Sequence, residues 1–237
     1  MNYGTLYGIG AGPGDPELLT LKAVRILGQV DRIYAARSSK NAHSSSHAIA
    51  EPHLKDGVEV SLLPFPMTRD KEALTQAWED NARTILTDLR QGLNVAFLTL
   101  GDPMTYSTFG YLKKTLATID PNAPVEIVPG VTAFAASAAA SGFVLAEEEE
   151  HLAVVSGAKG GDHVKKAAEY ADSLVVLKAY KQFEEIRSAL DQTGFSRDAI
   201  VVENCGHPQQ RISRDMTEIT ERPGYFTLIL SRKAQGT

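Results

Sequence analysis

Two rhythms of hydrophobic and polar positions alternate along the chain. Short apolar runs bounded by Gly, Pro or Asp predict strands at Thr5–Ile9, Arg32–Ala35, Val58–Leu63 and Val95–Leu100. Between them lie stretches of helical character. Pro16 to about Leu27 reads as a helix with Asp15 as N-cap and Pro16 in the first helical position. His47–Leu54 predicts a short helix interrupted by Pro52, and Tyr106–Ile119 a longer one. Across Lys71–Arg90, Leu74, Ala77, Trp78, Ala82, Ile85, Leu86 and Leu89 recur at the helical period, which assigns Trp78 to the core. The Ser-rich stretch Ser38–Ser46 reads as a loop. Strand-helix alternation of this kind argues for a mostly parallel sheet with flanking helices, an α/β class.

Asp120-Pro121-Asn122-Ala123-Pro124 reads as a linker, which predicts an N-terminal domain over 1–119 and a C-terminal domain over 120–237. Beyond it, strands are expected at Val125–Val128, Leu152–Val155, Ser173–Leu177, Ala199–Val202 and Phe226–Leu230. Helices are expected at Ala133–Ser141 and Lys181–Gln192. Gln209–Arg232 lacks a long helical pattern and predicts an antiparallel hairpin turning at Arg222-Pro223-Gly224. Glu147–Glu150 is expected as a solvated loop or helix start.

Composition narrows the function classes. The chain has 237 residues, 43% of them hydrophobic, enough for a large core. Its net charge of −5 is opposite in sign to a general nucleic-acid footprint and favours a small-molecule ligand. Cys205 stands alone, so no intrachain disulfide forms, and no Cys/His cluster has zinc-site spacing; no metal is expected. The start, Met-Asn-Tyr-Gly, predicts no secretory leader, and no apolar run approaches the ~20 residues of a membrane helix. A cytoplasmic location is the resulting expectation.

The chemistry gathers at glycine-rich turns. The first strand runs into Gly8-Ile9-Gly10-Ala11-Gly12-Pro13-Gly14-Asp15-Pro16, and a later strand into Leu100-Gly101-Asp102-Pro103. Glycines at strand-to-helix junctions let backbone approach a ligand that a Cβ would block. Two such turns, each carrying Gly-Asp-Pro, point to one bipartite small-molecule site. A dinucleotide fingerprint fails: counted from Gly8 its third glycine is Pro13, and counted from Gly10 it is Asp15. No Gly-Lys-Ser/Thr sequence occurs, which excludes a P-loop.

These segments resemble a known family. Gly10–Thr20 is similar to the opening signature of the tetrapyrrole methylases, S-adenosylmethionine enzymes that methylate uroporphyrinogen and corrin precursors. Leu100–Pro103, Pro129-Gly130-Val131-Thr132-Ala133, and Val202-Glu203-Asn204 with Gln210-Arg211 resemble the second to fourth signatures, in the family's order. Gly101–Thr108 and Phe65–Asp70 look like the branch that methylates C20 of precorrin-2 or of its cobalt complex (cobalt-factor II) in cobalamin biosynthesis. The resemblance implies two αβα domains with the cofactor in the cleft between them, and a homodimer. It implies cofactor contacts at Pro13, Leu100, Gly101, Asp102, Thr105, Thr132, Ala133, Leu177 and Cys205. Tyr106 and Ser107 would meet the tetrapyrrole. Arg37 and Lys40, with His43, His47 and His53 nearby, form a basic stretch in an acidic protein that would neutralise substrate carboxylates; the histidines are otherwise expected in an exposed loop. Where some family members carry Tyr-Asp-Arg, with the Asp assigned as a base, this chain has Ala35-Ala36-Arg37, so no catalytic residue carries over. The implied reaction makes the electron-rich meso carbon of the substrate the nucleophile and leaves the protein to align it. The rival readings are a same-fold methylase acting at another ring position, an NAD-dependent oxidoreductase with an atypical glycine loop, and a non-catalytic corrinoid carrier.

Overall fold

A computed structural model describes residues 3–38, 44–68 and 70–234. The chain divides into two units, Met1–Thr132 and Ala133–Thr237, each built on a five-stranded sheet with flanking helices.

The first sheet is parallel throughout. Its strands are β1 (Leu6–Gly10), β2 (Arg32–Ser38), β3 (Glu59–Phe65), β4 (Val95–Thr99) and β5 (Val125–Val128), in the order β3-β2-β4-β1-β5. Every residue of β4 is buried, as suits a central strand covered on both faces. Helices α1 (Leu21–Leu27), α2 (Ser45–Ala50), α3 (Lys71–Arg90) and α4 (Phe109–Ile119) complete the unit. One core gathers Ile9, Ile26, Leu27, Ile33 and Leu98; a second gathers Phe97, Phe109, Ile85, Leu86 and Leu89. Each buried aliphatic side chain contributes about 1.5–3 kcal/mol.

Four expectations are corrected here. The first helix does not run from Pro16 to Leu27. Asp15 caps a 3-10 turn over Pro16–Leu18, Leu19 is extended, and the Thr20 hydroxyl then accepts from Ala23 N to start α1. Two side-chain caps five residues apart begin two separate elements. The Ser-rich stretch is not all loop, since α2 starts at Ser45 and Ser46 Oγ donates to Leu98 O at 3.2 Å. Trp78 is half-buried and stacks on the exposed Tyr111, centroids 4.7 Å apart and planes 11° apart, at the rim of the core. The domain boundary expected after Ile119 lies after Thr132, because β5 pairs in register with β1, Leu6 opposite Val125.

The second sheet is mixed. Its strands are β6 (Leu152–Ser156), β7 (Ser173–Leu177), β8 (Asp198–Glu203), β9 (Arg211–Ser213) and β10 (Thr227–Arg232), ordered β6-β7-β10-β8-β9. Helices α5 (Ala133–Ser141), α6 (Gly161–Ala168) and α7 (Phe183–Thr193) pack with it. The antiparallel hairpin joins β8 to β9; β10 instead inserts between β7 and β8, antiparallel to both, so no hairpin turns at Arg222–Gly224. Glu147 and Glu150 do not remain merely solvated: both pair with Arg232, at 3.0 and 2.5 Å.

Candidate functional site

Parallel strands deliver their outgoing loops to one edge. β4, β1 and β5 are neighbours, so the loops that follow Thr99, Gly10 and Val128 emerge side by side. This is where open α/β sheets bind ligands. The loops are also tied together. Ala11 N donates to Thr99 O at 2.9 Å, and Gly12 and Gly101 exchange backbone hydrogen bonds, 3.3 Å from Gly12 N and 2.8 Å from Gly101 N. The two Gly-Asp-Pro turns therefore converge, within the first unit.

Glycine is required where the third loop joins them. A Cβ on Gly130 would lie 2.2 Å from the Gly101 carbonyl oxygen and 2.7 Å from Gly10 Cα. A Cβ on Gly10 would meet the same carbonyl at 2.5 Å and Gly130 Cα at 2.6 Å. Only backbone without side chains packs this closely.

Asp102 locks the arrangement. Its Oδ1 accepts from Met104 N at 2.9 Å and from Thr105 Oγ1 at 3.3 Å, and its Oδ2 accepts from Gly130 N at 3.1 Å. One half-buried carboxylate thus shapes its own turn and holds the third loop. A carboxylate offers about four lone-pair sites, so capacity for a further donor remains.

Around this knot, Pro13 and Gly101 are buried, while Leu100, Asp102, Thr105, Thr132 and Ala133 keep part of their surface open. Tyr106 is 56% exposed and adopts φ 51°, a left-handed backbone that costs a non-glycine residue about 1–2 kcal/mol. Ser107 serves the fold, since its hydroxyl lies 2.6 Å from Thr99 Oγ1 and accepts from Phe109 N at the start of α4. Arg37 is exposed near the end of β2, whereas Lys40, His43 and Arg69 lie outside the described residues. His53 is not an exposed loop residue: it is half-buried, and its Nε2 sits 3.2 Å from Pro16 O on the first loop.

In the second unit, Leu177 ends β7 and Cys205 follows β8. Leu177 pairs with Leu228, and Glu203 with Thr227, so both expected contacts lie at one edge of the sheet with the start of β10 between them. Burial pushes the Cys205 thiol above its usual range, partly offset by the Ser137 hydroxyl, which suits a packing residue and not a nucleophile. Lys178 and Asn204, at the same edge, also hold positive φ, 57° and 50°. Sequence reasoning missed these strained residues, and it missed His207. The His207 ring stacks on Phe226 at 5.8 Å, and its Nε2 is buried without a hydrogen-bond partner among the described residues. A histidine three residues past Asn204 was the available signal.

Comparison with known proteins identifies the family. The model of the tetrapyrrole (corrin/porphyrin) methylases matches residues 5–219. The chain is 36% identical to a cobalt-precorrin-2 C(20)-methyltransferase of Salmonella typhimurium, over 97% of each chain. It is 30% identical to a precorrin-2 C(20)-methyltransferase of a Sinorhizobium species, over 96% of this chain and 94% of the relative. Among solved structures it is similar to a uroporphyrin-III C-methyltransferase of Thermus thermophilus in complex with S-adenosylhomocysteine. That match has a TM-score of 0.69 and 28% identity, covering 97% of this chain and 92% of the other.

Proposed function

The chain belongs to the tetrapyrrole (corrin/porphyrin) methylases, and on that premise we propose that it methylates C20 of precorrin-2 or of its cobalt complex, using S-adenosylmethionine. The observation that carries this reading is the knot of three glycine loops, Gly12 bridged to Gly101 and Gly130 held by Asp102. Relatives whose names specify C20 transfer at 36% and 30% identity support the ring position.

The residues present fit the cofactor. The close-packed backbone at Gly10, Gly101 and Gly130 presents no Cβ, and Leu100, Thr105 and Thr132 beside it keep open surface. On this reading Leu100, Gly101 and Asp102 hold the methionine end and ribose, with Pro13 bounding the first loop and Thr132 and Ala133 contributing from the third. Leu177 and Cys205 are the further cofactor contacts that the family resemblance implies. When bound, S-adenosylmethionine supplies an electrophilic methyl group. The chain's own contribution is positional, holding the reacting atoms about 3–3.5 Å apart and excluding water. Rigid loops suit that role, because interactions already in place need no reorganisation during reaction. No enzyme nucleophile is required, in keeping with the buried, weakly acidic Cys205 thiol. A cytoplasmic homodimer completes the reading; sedimentation equilibrium of the purified chain tests the dimer.

The test is anaerobic incubation with S-adenosylmethionine carrying a 13C methyl group and each substrate, metal-free and cobalt-bound. The expected result is one labelled methyl on C20, located by NMR. Label at another ring position would reassign the chain within its family, and absence of transfer to either substrate would reject the reading.

A further inference from the structure

The second sheet carries a group of side chains that the cofactor reading leaves unused. Because β10 runs antiparallel to β7 and β8, the residues just before it lie at the outgoing ends of those strands, the edge that holds Leu177 and Cys205. Tyr225 and Phe226 come from that segment, Tyr180 from the turn after β7, and His207 from the turn after β8. Their rings form a continuous chain. Tyr180 and Tyr225 lie 5.2 Å apart at 58°, Tyr225 and Phe226 5.1 Å apart at 80°, and Phe226 and His207 5.8 Å apart at 17°.

Two cations sit on the outer ring of this chain. The Lys181 ammonium is 5.7 Å and the Arg222 guanidinium 5.8 Å from the Tyr180 centroid. Arg222 Nε also donates to Tyr180 O at 3.3 Å, which fixes the guanidinium in place. Lys181, Arg222 and Tyr225 are exposed, Tyr225 by 51%. Neither cation has a carboxylate partner among the described residues, although the chain as a whole is acidic. The carboxylate at the end of β8, Glu203, is engaged elsewhere: it accepts from Gly224 N at 3.3 Å and lies 4.0 Å from Arg211. Two like charges held against one aromatic ring, neither in an ion pair among the described residues, cost repulsion that an arriving anion relieves. Tyrosine faces beside them offer a platform for a flat conjugated ligand.

We propose that Tyr180, Lys181, Arg222 and Tyr225 form a second-unit subsite for the substrate macrocycle, with the two cations taking its peripheral carboxylates and the tyrosines lying against its conjugated edge. This rests on the functional reading above, in which the substrate is a flat polycarboxylate. It accounts for two cations without ion-pair partners among the described residues on one aromatic edge of an acidic chain.

The probe is uroporphyrin III, a stable planar octacarboxylate, titrated by fluorescence quenching, with its octamethyl ester as a charge-free control. S-adenosylhomocysteine affinity is measured in parallel by calorimetry. The double variant Lys181→Ala/Arg222→Ala is expected to bind uroporphyrin about tenfold or more weakly. It should keep wild-type affinity for S-adenosylhomocysteine and an unchanged response to the ester. Tyr225→Ala is expected to weaken both porphyrin and ester. Lys181→Glu, at an exposed position, serves should the double variant lose its fold, and is expected to weaken porphyrin binding alone. Unchanged uroporphyrin affinity in the folded variants would overturn the proposal. Wild-type protein that binds S-adenosylhomocysteine but no uroporphyrin would overturn it too, leaving the functional reading intact. Wild-type protein that binds neither would overturn both.

Discussion

Gly130→Ala places one methyl group where three loops meet. The new Cβ would lie 2.2 Å from Gly101 O, 2.7 Å from Gly10 Cα and 2.8 Å from Gly10 C, against ordinary contact at 3.4–4 Å. The backbone must therefore give by roughly 1 Å, and no rotamer offers relief because every neighbour is main chain. Gly130 is not in the left-handed region, so the effect is steric and owes nothing to backbone preference. Moving the Gly101 carbonyl strains the bond it accepts from Gly12 N and the reciprocal bond from Gly101 N. Overpacking costs about 1–3 kcal/mol, and the two hydrogen bonds, strained but not lost, about 1 kcal/mol between them, which together amount to about 2–4 kcal/mol. For a chain of this size that is a fall in Tm of roughly 5–15 °C. Thermal unfolding followed by circular dichroism reads the stability, and calorimetry with S-adenosylhomocysteine reads the site, where affinity is expected to fall at least about tenfold. A variant with wild-type melting and wild-type affinity would refute the close-packed knot.

Further outcomes follow from the same geometry. Gly110→Ala is the opposite case: within α4 a Cβ there meets nothing within 4 Å, so stability should rise by about 0.5–1 kcal/mol in urea unfolding. Asp102→Ala removes acceptors for Met104 N, Thr105 Oγ1 and Gly130 N; S-adenosylhomocysteine affinity should drop about tenfold or more while the second unit keeps its hydrogen-exchange protection. Asp88 is buried, accepts from both Arg32 Nη1 (2.9 Å) and Tyr34 OH (2.6 Å), and its replacement by Asn should cost about 2–4 kcal/mol in urea unfolding, Arg32 being partly solvated. Burial, reinforced by the Asp88 hydrogen bond, pushes the Tyr34 hydroxyl up to about 12. A folded value above the phenol's usual ~10 means this contribution is whole below about pH 10 and is lost as pH rises towards 12. Stability measured against pH should show that decline, and Tyr34→Phe should remove it.

What the sequence made legible follows the range of the forces involved. α3 and α5 were read to their end residues because their patterns are local, the first an amphipathic period and the second an alanine run. The strands β5 and β7 were equally plain as short apolar runs between turn residues. Glycine marked the site because a close approach of backbone leaves few other residues possible. Placements decided by distant partners escaped, although the β10 strand itself was expected at Phe226–Leu230. β10 lies between β7 and β8 through pairings such as Ile229 with Val176 and Val201, which no local pattern records. The linker at Asp120–Pro124 looked like a boundary, yet β5 beyond it is fixed by β1, more than a hundred residues earlier. α6 opens on Gly160 and Gly161, residues that suggest a loop, but Val164 and Ala167 are drawn into the second core. The cationic aromatic edge joins the turns after β7 and β8 with the approach to β10, so only the sheet order brings it together.

The central claim is that the Gly12–Gly101 bridge and the Asp102–Gly130 clamp make the floor of an adenosyl site. A crystal structure of the chain grown with S-adenosylhomocysteine measures this most directly. The predicted result is the ligand's homocysteine and ribose within hydrogen-bonding distance of Leu100–Thr105, with Thr132 beside it and the bridge intact. A ligand seated away from these loops, or a bridge opened to admit it, would contradict the account.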